Sequence, residues 1–149
     1  MISRALARYL TNARGSSAVE FALVVPVFLF LVFGSINFAF LMYAVVSLHQ
    51  ATEAAARYAS VQIAANGGTA PTNLTANSST SGSVAYYGVT HYFGPGISPT
   101  FTYTASATGC ATATTGTGTS NKVVGAGTYG FIGGIKNATI TLSATACRA

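Results

Sequence analysis

The chain has 149 residues, room for one small domain plus an anchor. Only 6% of them are charged and 50% are hydrophobic, with no aspartate, against about 25% charge in ordinary soluble domains. That composition argues against a free soluble globule, and the net charge of +5 does not mark a nucleic-acid partner. Three of the seven basic residues fall in the first fourteen positions, the rest are scattered singly, and no basic patch is interleaved with aromatics.

Residues 1–15 form a basic, weakly amphipathic leader carrying Arg4, Arg8 and Arg14. Positive charge close to a membrane span stays cytoplasmic, and beyond Leu48 only Arg57 is near enough to compete. The expected orientation is therefore N-terminus in the cytoplasm and C-terminus outside.

The leader ends in Gly15-Ser16-Ser17-Ala18-Val19-Glu20-Phe21, and from Phe21 to Leu48 no residue is charged. As a helix those 28 residues would extend roughly 42 Å, more than the ~30 Å hydrocarbon core of a bilayer. Glu20 stands at the mouth of the run, where a carboxylate near lipid calls for a partner. A secretory signal would have a shorter apolar core, of about 7–15 residues, and a small-residue cleavage site. A plain uncleaved anchor is the other rival.

A helix is expected from about 18 to 65, with the transmembrane part at about 18–48 and a total length of roughly 70 Å. Pro26 lies inside it, removes the bond to the Ala22 carbonyl and predicts a kink. Phe28, Phe30, Phe33, Phe38 and Phe40 surround the helix, as suits a lipid-facing or filament-buried rod. Asn37 has two readings, a bond to a partner helix or one within its own. His49 to Ala65 is Ala-rich, with Glu53 and Arg57 in the favourable i, i+4 order and Asn66-Gly67-Gly68 as the stop. This outer half is expected to pack under a head.

Residues 66–83 are rich in Gly, Thr, Ser, Asn and Pro and read as a linker. Residues 84–149 read as a small β-rich head. Phe101 to Ala105 and Ile140 to Ala144 alternate as half-buried strands. Val84 to Phe93, Lys122 to Val124 and Tyr129 to Ile132 are weaker strand candidates. Together they predict an antiparallel sheet of three to four strands. Cys110 and Cys147 lie on the outer side, where a disulfide is the expected state and two buried thiols the alternative. Closing that 38-residue loop would stabilise the head by about 3–4 kcal/mol.

Gly125-x-Gly127-x-x-Gly130 matches a dinucleotide fingerprint in letters only. It opens no helix and precedes no acidic residue, so a glycine-rich turn is expected. The sequons at Asn73, Asn77 and Asn137 are chance products of a Thr/Ser-rich chain. His49 and His91 are isolated, so no metal site and no cofactor are expected. The head from Val84 onward has no acidic residue for acid–base chemistry, and no enzymatic activity is expected.

Basic leader, Gly15, then Glu20-Phe21 and an apolar helix resemble a type IV prepilin. Ser16 to Pro26, Phe33-Gly34-Ser35-Ile36-Asn37-Phe38 and Ala54-Ala55-Ala56-Arg57-Tyr58-Ala59 resemble the TadE-like pseudopilins (minor pilins) of the tight-adherence, or Tad/Flp, branch. The likeness covers roughly residues 14–60. At Asn37 the family commonly repeats an acidic residue.

The resemblance implies an α+β, pilin-like fold: one long N-terminal transmembrane helix and a small disulfide-tied antiparallel head. It implies a cut between Gly15 and Ser16 by a prepilin peptidase. The new Ser16 ammonium would then pair with Glu20 of its own chain or of a neighbour. It also implies residence in the bacterial inner membrane with the head periplasmic, partnership with other pilins and pseudopilins of the Tad machine, and a role in adhesion or biofilm. A different class of function is an unprocessed single-span membrane protein whose head binds a ligand or an envelope partner.

Overall fold

The computed structural model describes residues 14–105, 120–130 and 139–148, with side chains from residue 17 onward. The chain divides into two compact units, Met1–Phe38 and Ala39–Ala149. Helix α1 runs Arg14–Ala65, with Pro26 inside it. Three strands follow, β1 (Thr100–Thr104), β2 (Asn121–Gly130) and β3 (Thr139–Arg148), in an antiparallel meander of order β1-β2-β3. The fold is α+β, a long apolar N-terminal helix followed by a small antiparallel sheet.

In the first unit the helix buries none of its large apolar side chains. Phe21 (70%), Phe28, Phe30 and Phe33 are all exposed. The helix is long and apolar enough to cross a membrane, with a mean hydropathy of 2.4 in its most apolar window. Two of its polar side chains bond back to its own backbone. Ser35 Oγ donates to the Val32 carbonyl at 2.8 Å and Asn37 Nδ2 to the Phe33 carbonyl at 2.9 Å. Of the two readings of Asn37, the structure thus shows the bond within its own helix.

In the second unit the same helix changes character. Ala44, Leu48, Ala51, Thr52, Ala55, Ala56 and Ala59 are all 0–1% exposed and recur at the spacing of one helical face. Against that stripe pack Leu74, Val84, Phe101, Tyr103, Val123 and Ala144. Alanines suit the stripe because a small side chain lets the packed elements approach closely. The helix stops as expected at Asn66-Gly67-Gly68: the Gly68 N–H reaches the Ile63 carbonyl at 2.9 Å and the Gly67 N–H the Ala64 carbonyl at 3.3 Å. Both glycines take positive φ, 67° and 86°, which a side chain would oppose.

Two expectations need correction. Val84 to Phe93 is not a strand: Val84–Thr90 is a helix, α2. Ser83 Oγ accepts from the Tyr86 N–H at 2.9 Å and so caps its first turn. Val84, Ala85 and Gly88 then share the buried face. Within 66–83, Thr72–Thr75 forms a 3-10 turn that buries Leu74 in the core. Second, the glycine-rich segment 125–130 is no turn but part of β2: all of it pairs with β3, and Gly125 and Ala126 pair with β1 as well. Lys122 to Val124 thus belongs to the same strand as Tyr129, while 131 and 132 lie outside the described residues. The glycines sit in a strand because neighbouring side chains occupy the space where theirs would be. Phe101 and Thr52 crowd Gly125, and Ile97 crowds Gly127.

Candidate functional site

Gly15, Ser16, Glu20 and Phe21 all lie within helix α1, which is described from Arg14 onward. Glycine weakens a helix by about 1 kcal/mol relative to alanine. Glu20 and Phe21 are exposed, with no element of the first unit covering them. Four residues separate Ser16 from Glu20, the spacing that puts both on one helical face. Pro26 is exposed one to two turns on. Arg4 and Arg8 lie outside the described residues, and of Arg14 the backbone alone is described.

The cysteines fall unevenly. Cys147 sits in β3 opposite Lys122, which is itself opposite Thr104 at the end of β1. Cys110 lies outside the described residues, among which no free cysteine stands.

The second unit holds polar features that composition did not signal. Tyr58 stacks on Tyr87 at 4.4 Å, and Tyr87 on His91 at 3.9 Å, making a three-ring ladder from α1 to the end of α2. Tyr58 Oη also donates to the Gly82 carbonyl at 3.2 Å. Glu53, Arg57, Tyr58 and Tyr87 line a shallow open groove beside the ladder. Tyr103 Oη donates to Asn121 Oδ1 at 2.7 Å inside the core, and burial pushes its pKa up. The pKa of Tyr92 is pushed up to about 12 by burial first, then by the neighbouring Tyr43 and Tyr129. The N–H of Phe93 donates to Ser47 Oγ of α1 at 3.0 Å. All these contacts join residues at least eighteen positions apart except the Tyr87–His91 stack, so local pattern did not reveal them. The i, i+4 spacing of Tyr87 and His91 was the one readable sign.

Residues 15–57 match the family described as TadE-like protein. The match begins at Gly15 and ends within the alanine stripe of α1. No curated protein and no solved structure matches the chain.

Proposed function

We propose, for a chain that is TadE-like over residues 15–57, that it is a pseudopilin of the Tad pilus, matured by a prepilin peptidase between Gly15 and Ser16. One observation carries the reading: the matched segment opens at Gly15 and runs into a helix whose apolar side chains from Phe21 to Phe33 lie uncovered. Such a surface is satisfied by lipid before assembly and by other pilin helices after it. The new Ser16 ammonium and Glu20 neutralise each other within one chain or between neighbours and so set the axial register. The helix N-terminus also favours the carboxylate.

The basic leader keeps the N-terminus in the cytoplasm and sends the head to the periplasm. There Cys110 and Cys147 are joined. Strand β1 ends level with Cys147 with β2 between them, a separation of two strand spacings of about 4.8 Å each. The six residues from Thr104 to Cys110 reach up to roughly 20 Å, ample for that distance. The protein's work is assembly rather than catalysis, and its outcome is surface adhesion or biofilm. The second reading, an unprocessed anchored head that binds an envelope partner, draws on the groove lined by Glu53, Arg57, Tyr58 and Tyr87.

Intact mass and N-terminal residue, read on protein extracted from membranes with and without the peptidase, separate the two. A chain starting at Ser16 only when the peptidase is present supports maturation. A chain that still starts at Met1 overturns it in favour of the second reading.

A further inference from the structure

We propose that the loop 92–97, together with Tyr43 of α1, is an interfacial anchor that sits in the headgroup layer of the bilayer and fixes how far the helix is inserted. This rests on reading α1 as a membrane span.

The loop's position follows from its tether. The Phe93 N–H is held by Ser47 Oγ at 3.0 Å, and Ser47 is itself 4% exposed. Ser47 is one helical turn beyond Tyr43, and the pKa of Tyr92 is raised in part by Tyr43. The loop therefore lies against α1 at the level of residues 43–47. Counting from Phe21, about 20 residues cross the ~30 Å hydrocarbon core, which ends near Phe40. Residues 43–47 then fall in the next one to two turns, the depth of the headgroups.

The chemistry of the loop suits that depth. The phenyl ring of Phe93 is 74% exposed, nearly as bare as Phe30 in the span (76%). Tyr43 is 52% exposed beside it, and Met42 and Val46 are also bare. No residue from 92 to 99 is charged. The Phe93 N–H already has its acceptor, and Tyr92 Oη reaches the Pro95 carbonyl at 3.5 Å. Aromatic rings are enriched where membrane meets water because one end prefers each side. A second protein is a poorer occupant. A standard interface needs about 800 Å² per partner, and one projecting ring supplies about 200 Å² at most. For lipid, a ring next to an existing span is enough.

The chain has no tryptophan, so a single introduced one reports alone. Full-length Phe93→Trp, Phe30→Trp and Val61→Trp would be reconstituted in phosphatidylcholine vesicles brominated either near the headgroup or near the acyl end. Phe30→Trp reports the span, and Val61→Trp reports an exposed outer position of α1. The expected result is blue-shifted emission from Phe93→Trp, quenched by the shallow bromines at least about twofold more than Val61→Trp. Quenching by aqueous acrylamide equal to that of Val61→Trp, with Phe30→Trp still quenched by bromolipid, would overturn the anchor and leave the span intact. Loss of lipid quenching at Phe30→Trp as well would overturn the span and the anchor together. Protection of Phe93→Trp from both quenchers, growing with protein-to-lipid ratio, would assign the surface to another copy and so overturn the lipid assignment.

Discussion

Gly88 and Phe101 lie so close that a Cβ added at 88 would stand 2.5 Å from the Cγ of the ring. A Cβ at Gly125 would meet the same ring at 2.8 Å and Thr52 Oγ1 at 2.6 Å. Phe101 thus fills a slot whose walls are glycine backbone from α2 and β2. Both neighbours of Gly88 and Gly125 are packed ring or buried side chain, so neither gives way freely. Gly88→Ala and Gly125→Ala should each destabilise the second unit by about 1–3 kcal/mol, through overpacking. Denaturation of the full chain in micelles, followed by near-ultraviolet circular dichroism, checks this. Unchanged midpoints would show that the slot has slack.

Tyr103 and Asn121 make the buried polar pair of the sheet, at 2.7 Å. Tyr103→Phe removes the donor and leaves Asn121 Oδ1 in the core without it. A loss of about 1–3 kcal/mol is expected, the desolvation cost of an unpaired polar group. The double variant Tyr103→Phe, Asn121→Leu should recover part of it, because removing both partners abolishes the orphan. Additive losses in the denaturation midpoint would refute the pairing.

Tyr92 gives the second unit an alkaline limit. Its pKa lies near 10 in an unfolded chain and is pushed up to about 12 in the fold. The folded state therefore holds the proton longer than the unfolded one. Stability should be level in this respect below pH 10, fall from about pH 10 to 12, and then level off. Denaturation midpoints measured across that range on the parent and on Tyr92→Phe check the sign. The variant should lose part of the slope.

Gly15→Ala tests the proposed cut. Alanine would stabilise the helix at that point by roughly 1 kcal/mol and lower its locally unwound fraction about fivefold, before any obstruction by the methyl in the cleft. Pulse-chase gels should show the leader retained. Glu20→Gln is expected to leave the cut intact and reduce incorporation into sheared filaments. Normal incorporation would remove Glu20 from the assembly mechanism.

The helix was legible because its signals are local. Residues 21–48 lack charge, the alanines that follow repeat at helical spacing, and Asn66-Gly67-Gly68 supplies the stop. Strands β1 and β3 were legible for the same reason, through alternation of Thr with larger side chains. Helix α2 was missed because Val84 to Thr90 is rich in β-branched and aromatic residues, which favour strands. What overrides them is one cap, Ser83, and a buried face against Phe101. Strand β2 was misread at its glycines because the side chains that fill their space come from 97, 101 and 52, far away in sequence. At the candidate processing segment the residue types were readable, but not that the Gly15–Ser16 bond starts inside a helical turn.

The alanine stripe of α1 has a consequence for where this chain tolerates scission. Ala44, Ser47 and Leu48, at the end of the uncharged run, are walls of the second unit's interior. A signal-type cut after Leu48 would therefore release a fragment with its interior opened to water, whereas a cut between Gly15 and Ser16 leaves the whole stripe in the chain. A soluble fragment trimmed at the hydropathy boundary should aggregate, while one that begins near Ala39 keeps every wall. The uncharged run and the folding unit overlap along one helix, so hydropathy alone puts the border of the second unit about ten residues too late.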